Sequence, residues 1–193
     1  MKDVPDKFFE LAIVDPPYGI KRFKNGIGKG DRHKIKTKNA DFNNLVPGKK
    51  YFNELFRISK KYIIWGANNF NLPKSEYFII WDKMQTVDNF ASAEYAWTNI
   101  QRPAKIFKYS IHQHNKTNKI HPTQKPIALY RWLLQNYAKP GDKIFDSHVG
   151  SGSSLIACIE EGHDYVGCEL DPDYYRDACK RIEIHKSQLR MFA

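Results

Sequence analysis

An acid, two prolines and an aromatic residue stand together near the start of the chain as Asp15, Pro16, Pro17 and Tyr18, directly after the apolar run Phe8–Val14. The two prolines fix φ twice and remove two backbone donors, so the segment presents carbonyl groups in a set geometry. A carboxylate, rigid carbonyls and an aromatic ring could accept the hydrogens of an amine and stack on a planar ring. The same residues could also form nothing more than a tight turn.

A second motif is rich in glycine and lies at residues 143–154, which read Lys-Ile-Phe-Asp-Ser-His-Val-Gly-Ser-Gly-Ser-Ser. Gly150 and Gly152 would let a ligand approach the backbone where a predicted strand joins a predicted helix with free N–H groups. Glu169, 17 residues after Gly152, ends the next predicted strand, where an acid can accept hydrogen bonds from a ribose. Because the third glycine of a dinucleotide site and the G-K-[ST] of a triphosphate site are missing, a single adenosine-bearing cofactor is favoured over a nicotinamide dinucleotide or a nucleoside triphosphate. A purely structural tight turn is the alternative.

Positive charge is concentrated after the first motif. The chain holds 31 Lys and Arg against 21 Asp and Glu, a net charge of +10. Between Lys21 and Lys38 there are eight basic residues, three glycines and one acid, Asp31, which predicts a basic loop at about residues 20–50 rather than a helix. Such a loop could neutralise nucleic-acid phosphates, and a solvated loop without a partner is the alternative.

The composition predicts one domain over residues 1–193. Apolar residues make up 41% of the chain, which excludes wholesale disorder, and no apolar run reaches the roughly 18–20 residues of a membrane span. The polar start lacks a secretory core and the three cysteines form no C-x-x-C pair, so we expect a cytoplasmic protein without disulfides. No metal site is expected, because the histidines of the polar loop at 110–119 have no carboxylate or cysteine cluster beside them.

Short apolar runs alternate with amphipathic segments, which is typical of an α/β protein. Helices are predicted at about 51–61, 126–137, 153–161 and 172–186. Strands are predicted at 8–14, 62–65, 77–81, 104–109, 143–146 and 165–169. The aromatic residues of the runs at 62–65 and at Trp81 are interpreted as core rather than as platforms for a base.

Taken together, these motifs resemble those of the S-adenosylmethionine-dependent DNA amino-methyltransferases. Residues 11–19 are similar to the catalytic motif of that family, 121–126 (HPTQKP) to the segment before the cofactor helix, 146–154 to the cofactor turn, and 167–171 to the ribose-binding strand end. The catalytic motif comes first and the cofactor motif last, the order of the β subgroup. The resemblance implies a Rossmann-like class I methyltransferase fold, circularly permuted, with a mostly parallel sheet and helices on both faces.

The resemblance also implies roles for individual residues. Asp15 and the Pro16 carbonyl would accept the two hydrogens of the amine of a base flipped out of DNA, with Pro17 completing the motif and Tyr18 stacking on the base. The implied cofactor contacts come from two segments of the chain: Thr123 and Lys125, and Asp146, His148, Gly150, Ser151, Gly152, Ser153 and Glu169.

Asp at position 15 favours site-specific methylation of adenine N6, as in restriction-modification, because cytosine-N4 enzymes of the family more often have Ser there. Cytosine N4 methylation, methylation of structured RNA and a catalytically silent nucleic-acid-binding subunit are the alternatives.

The chain departs from the family pattern in three places. Ser147 and His148 stand where the family usually has Pro-Phe, so His148 either lines the cofactor pocket or, as we favour, fills the space of the phenylalanine. Met1 lies only 14 residues before Asp15, so the strand that precedes the catalytic strand in the family is expected to be missing. The sheet would then be completed by the tail at 187–192, by a homodimer or partner subunit, or by a longer form of the chain. Little room lies between residues 109 and 121 for a target-recognition insert, so sequence specificity would come from residues 21–50, come from a partner, or be loose.

Overall fold

The computed structural model describes residues 1–19, 46–86, 88, 90–115, 117 and 119–191. Most of the predicted basic loop lies outside these residues. The described strands are β1 (Phe9–Val14), β2 (Ser59–Trp65), β3 (Phe78–Asp82), β4 (Ala93–Thr98), β5 (Lys105–Lys108), β6 (Ile144–Asp146) and β7 (Tyr165–Gly167). The described helices are α1 (Lys49–Ile58), α2 (Ile111–Asn115), α3 (Ile127–Tyr137), α4 (Ser153–Glu161) and α5 (Pro172–Met191), with a short 3-10 helix at Ala67–Asn69.

All seven strands form one sheet, in the order β5-β3-β4-β2-β1-β6-β7. Strand β1 pairs in parallel with β2 on one side and with β6 on the other, and β6 pairs in parallel with β7. Strand β4 runs antiparallel to both β2 and β3, while β3 and β5 are parallel. The expected α/β architecture with a mostly parallel sheet is confirmed.

Strand β1 shows why helices cover both faces of the sheet. Its side chains alternate between the two faces, as the pleat requires. Leu11 and Ile13 pack into the cluster that contains the apolar residues of α3, whereas Ala12 and Val14 pack into the cluster that contains those of α1. Because both faces are buried, β1 is a continuous apolar run rather than an alternating one.

Besides the short 3-10 helix at Ala67–Asn69, two described elements were not predicted from the sequence. Strand β4 was missed because only its last three residues, Ala96, Trp97 and Thr98, are buried, so its alternation of polar and apolar residues is weak. Helix α2 lies within the segment at 110–119 that was expected to be a polar loop, and that expectation was wrong over Ile111–Asn115. Helix α1 begins and ends a few residues earlier than predicted.

The sheet ends at β7, since none of the described residues forms a strand along its outer edge. The expected absence of the strand that precedes the catalytic strand in the family stays a prediction. The proposal that the tail at 187–192 replaces that strand was wrong for the described part of the tail, because α5 continues in helical geometry to Met191. A partner subunit or a second copy at this edge stays a prediction.

Gly167, the last residue of β7, makes the packing between β7 and α4 possible. A Cβ atom at this position would lie 2.6 Å from Val149 Cγ2 and 2.7 Å from Leu155 Cδ1, closer than any ordinary carbon contact. We expect Gly167→Ala to lower the free energy of unfolding by about 1–3 kcal/mol, because it overpacks this site. Urea denaturation would measure the change. Gly48→Ala is the matched control, because no atom lies within 4 Å of a Cβ built there.

Candidate active site

The predicted motifs meet at one edge of the sheet. Asp15 directly follows β1, Asp146 is the last residue of β6, and Glu169 lies two residues beyond β7. These strands are parallel neighbours, so their carboxyl ends lie side by side, where open α/β sheets bind ligands. The structure therefore brings together the two ends of the chain that carry the candidate catalytic and cofactor residues.

The two carboxylate oxygens of Asp15 have different surroundings. Oδ2 accepts a hydrogen bond from the Lys125 ammonium, which also forms an ion pair with it. Oδ1 is buried and has no hydrogen-bond partner among the described residues. Because an unpaired buried acceptor is costly, Oδ1 is the atom of this site that most needs a donor from a ligand.

Lys125 links Asp15 to a second acid, Glu94 on β4. Lys125 Nζ lies 3.0 Å from Glu94 Oε2, and Lys83 Nζ lies 2.6 Å from Glu94 Oε1. Burial disfavours the charged form of Glu94, but the ammonium groups of Lys125 and Lys83 outweigh it and lower the pKa of Glu94 to about 2. Burial raises the pKa of Asp15 above its ordinary value, and Lys125 opposes that rise. Two acids and two bases thus balance one another at this end of the sheet.

Tyr18 lies beside this charged group. Its ring packs against Gly66, where an added Cβ would be 2.6 Å from Tyr18 Cε1, and meets Phe70 edge to face at 6.4 Å between centroids. Burial raises the pKa of Tyr18 to about 12, so its hydroxyl is neutral at physiological pH. Pro16 is buried and Pro17 is partly buried between Asp15 and this ring.

The cofactor turn is held by internal hydrogen bonds. Gly150 and Gly152 have φ of 52° and 77°, a left-handed conformation that glycine adopts without strain. Buried Asp146 accepts the His148 N–H on Oδ1 at 2.9 Å and the Ser154 hydroxyl on Oδ2 at 2.5 Å. Since no side chain caps helix α4, the backbone donors of its first turn remain for a ligand.

Ser151 and Ser153, which the resemblance assigns to the cofactor, are both buried and contact Arg181 of α5. Arg181 Nη1 donates to the Ser151 carbonyl at 2.7 Å and to Ser153 Oγ at 2.9 Å. The Ser153 hydroxyl and the Ser151 carbonyl thus serve the turn itself, and the backbone N–H groups of these residues are what remains for a cofactor. Arg181 was missed by the sequence analysis, because nothing in a surface-like helix marks one arginine among several.

Glu169 closes the same turn from the side of β7. Its Oε2 accepts the Gly150 N–H at 2.8 Å and its Oε1 accepts the Asp171 N–H at 2.9 Å. A carboxylate has about four lone-pair sites, so each oxygen can still accept a ribose hydroxyl. The two hydrogen bonds fix the carboxylate where the turn ends.

His148 is engaged by its neighbours within the protein. Its Nδ1 lies 2.9 Å from Ser147 Oγ, and its ring meets the Tyr51 ring at 5.4 Å between centroids. Burial lowers the pKa of His148 to about 4, so the ring is neutral. These contacts are those of a ring packed within the protein, and the role of His148 in filling the space of the family's phenylalanine stays a prediction.

The segment at 121–126 separates into structural residues and one charged residue. The His121 ring packs on Tyr174 at 4.3 Å between centroids, and its Nδ1 lies 3.1 Å from the Thr123 hydroxyl. Thr123 is therefore hydrogen-bonded within its own segment. Lys125, in contrast, is directed to Asp15 and Glu94. Glu94 and Lys83 were missed because their partners are far away in the sequence and β4 itself was not predicted.

Comparison with known proteins decides the family. The family model described as DNA methylase matches residues 35–180. The chain belongs to the N6/N4 DNA methylase family. This membership confirms the resemblance inferred from the motifs and, with it, S-adenosylmethionine as the methyl donor. The matched range begins after Tyr18, so the assignment of residues 15–18 depends on the geometry described above.

Individual members of this family are similar over most of the chain. The Type II methyltransferase M.HpaI of Haemophilus parainfluenzae is 23% identical over 95% of this chain and 71% of its own length. The chain spans less than half of two further curated relatives that it matches.

The structures of M1.HpyAVI with SAM and of PvuII DNA methyltransferase (cytosine-N4-specific) share the fold. The M1.HpyAVI structure has a TM-score of 0.60 at 19% identity, over 93% of this chain and 90% of its own. The PvuII structure has a TM-score of 0.58 at 10% identity, over 97% of this chain and 87% of its own. The class I methyltransferase fold is thereby confirmed. No helix among the described residues is long and apolar enough to cross a membrane.

The residues at the carboxyl edge fit the cofactor of the family. A glycine turn in left-handed geometry, an uncapped helix start and an acid beside Gly150 together provide backbone donors and a carboxylate acceptor. A cofactor with an adenosine and a charged amino-acid end needs both kinds of group. Gly150, Gly152 and Glu169 are accordingly the residues whose geometry suits it.

The buried carboxyl of Asp146 predicts a pH effect on stability. Burial raises its pKa to about 7, above the ordinary value near 4. A raised carboxyl pKa contributes stability at pH below about 4 that is lost as the pH rises to about 7. We expect Asp146→Asn to remove this loss of stability. Between about pH 4 and pH 7, the free energy of unfolding of the wild type should fall relative to that of the variant by up to about 1.4 kcal/mol per pH unit.

Urea denaturation of both proteins at half-unit steps between pH 4 and pH 8 would measure the slope. Asp164→Asn, at an exposed position, is the control for loss of one charge. Parallel pH profiles for the wild type and Asp146→Asn would show that Asp146 has no raised pKa.

Proposed function

We propose that this chain transfers a methyl group to the N6 amine of adenine in DNA. The observation that supports it most directly is the buried Oδ1 of Asp15, which lacks a donor among the described residues while Oδ2 is held by Lys125. An exocyclic amine is a donor of the kind this oxygen needs. Family membership supplies the reaction class, and this atom indicates which group of the substrate enters the site.

The amine of adenine is a poor nucleophile because its lone pair is delocalised into the ring. In the proposed complex Asp15 Oδ1 accepts one amine hydrogen and the Pro16 carbonyl accepts the other, which localises the lone pair on nitrogen. Tyr18 stacks on the base. The base reaches these residues only if it is flipped out of the duplex, at a cost of a few kcal/mol.

The cofactor is proposed to lie along the turn between β6 and α4. Backbone groups of Gly150, Ser151, Gly152 and Ser153 would contact it, and Glu169 would accept the ribose hydroxyls. S-adenosylmethionine supplies an activated methyl group on its sulfonium when bound. Asp146 and His148 would act mainly by holding the turn, since their polar atoms already have partners within it.

Asp15 is also the reason for proposing adenine rather than cytosine, because the cytosine-N4 enzymes of the family more often have Ser at this position. The fold does not separate the two amines, since PvuII DNA methyltransferase, named as cytosine-N4-specific, shares it. The net charge of +10 supports a nucleic-acid substrate without separating DNA from RNA. Cytosine N4 is therefore the second candidate.

The test uses Asp15→Ala. Duplex DNA, single-stranded DNA and RNA of mixed sequence would each be incubated with S-adenosylmethionine, and the nucleosides analysed by mass spectrometry. We expect N6-methyladenine in DNA with the wild type and a fall of at least about a hundredfold with the variant, because the amine loses its positioning acceptor. Asp164→Ala, an exposed acid before β7, is the matched control.

Binding of S-adenosylmethionine separates loss of chemistry from loss of fold. At 100 times the dissociation constant the cofactor should raise the stability of both proteins by about 2.7 kcal/mol, which a thermal shift can follow. Detection of N4-methylcytosine in place of N6-methyladenine would show that cytosine N4, the second candidate, is the methylated amine. No methylated nucleoside despite cofactor binding would favour a catalytically silent nucleic-acid-binding subunit.

A further inference from the structure

We propose that Glu94 is a positioning residue of the reaction, which acts through Lys125 to hold the Asp15 carboxylate in one orientation. The proposal builds on the function proposed above, in which Asp15 binds the amine. It concerns a residue outside all the motifs, on the antiparallel strand β4. Lys125 is thereby given a role in orienting Asp15 in place of the cofactor contact that the resemblance implies.

The geometry places Lys125 between two acids. Its Nζ contacts Asp15 Oδ2 and lies 3.0 Å from Glu94 Oε2. The side chain is only 4% exposed, and its ammonium lies 5.6 Å from the centroid of the Trp65 ring. A lysine side chain is flexible when it has one partner. The carboxylates of Asp15 and Glu94, together with the Trp65 ring, restrict the Lys125 ammonium to the position between them.

Glu94 is in turn fixed from its other side. Its Oε1 lies 2.6 Å from Lys83 Nζ, and Lys83 also lies over the Trp81 ring at 5.2 Å. Both oxygens of Glu94 are thus paired, each with a different lysine. Glu94 can therefore hold Lys125 in place, and neither of its oxygens is left to compete with Asp15 as an acceptor for the substrate.

This arrangement decides which oxygen of Asp15 meets the amine. With one carboxylate oxygen, Oδ2, paired to Lys125, the other, Oδ1, remains for the ligand. The group formed by Asp15, Glu94, Lys83 and Lys125 also has no net charge when all four side chains are ionised. Removal of either partner of Lys125 would leave a buried charge without its counter-charge.

The signs of the interactions allow a sharp test. Lys125 and Lys83 lower the pKa of Asp15, whereas Glu94 and burial raise it. Among the described residues, Tyr18, Tyr130 on α3 and Asp146 at the end of β6 also interact with Asp15, and they are unchanged in the variants below. Because the amine needs the ionised carboxylate, the methylation rate should fall at low pH. The pH at which it falls, the acidic limb of the pH–rate profile, follows the pKa of Asp15.

The experiment compares Glu94→Gln with Lys125→Met in single-turnover and steady-state methylation of duplex DNA as a function of pH. For Glu94→Gln we expect kcat to fall by about ten- to a hundredfold, from misplacement of the acceptor, and the acidic limb to move to lower pH. For Lys125→Met we expect the limb to move to higher pH. Lys125→Arg should restore the limb toward the wild-type position. Glu76→Gln and Lys74→Met, at exposed positions, are the matched controls.

A purely structural role for Glu94 would lower kcat without moving the limb, or would move it in the same direction in both variants, and either result would overturn the proposal. A carbon-13 NMR titration of the Asp15 carboxyl, with the cofactor absent, gives the same pKa order without turnover. Wild-type protein that methylates nothing while the titration shows opposite shifts would contradict the proposed function alone. Absence of opposite shifts in an active protein would contradict the positioning role alone.

Discussion

The parallel pairing of β1 with both β2 and β6 is the constraint on which the rest of the site depends. It joins Leu11 and Ala12 to Ile144 and Phe145 across most of the chain. Because β1 is hydrogen-bonded on both edges and buried on both faces, the residue that follows it has little freedom. Asp15 is held beside the end of β6 in this way, so the candidate catalytic motif from the start of the chain meets the candidate cofactor turn from its end.

Charge removed from water is the main cost of this site. Lys125, Asp15 and Glu94 have side chains that are only 4%, 16% and 21% exposed. An isolated buried ion would shift its pKa and become neutral, and a buried pair that loses one member costs about 3–5 kcal/mol. The alternation of acid and base from Asp15 to Lys83 avoids both outcomes, and Lys125 favours the ionised form of Asp15 that an amine requires.

The sequence predicted those parts of the site that lie within one contiguous run. Asp15, the glycine turn and Glu169 were each predicted to follow a short apolar strand, and the structure places all three at one edge of the sheet. Glu94 and Arg181 could not be predicted, because each acts on a partner that is distant along the chain. Strand β4 escaped prediction for a related reason, since it is buried over only half of its length and its pattern is set by tertiary contacts.

The two halves of the site differ in what they still need from a ligand. On the cofactor side the acids already have backbone or hydroxyl donors within the protein, as Glu169 has with Gly150 and Asp146 with Ser154. On the substrate side Asp15 Oδ1 is buried and without a donor among the described residues. In the proposed complex, a base with an amine at that point would supply the donor and recover the cost of the unpaired oxygen, about 1–3 kcal/mol. A base with a carbonyl there would instead place two acceptors against each other, so the proposed site would discriminate between amine and carbonyl bases before any chemistry takes place.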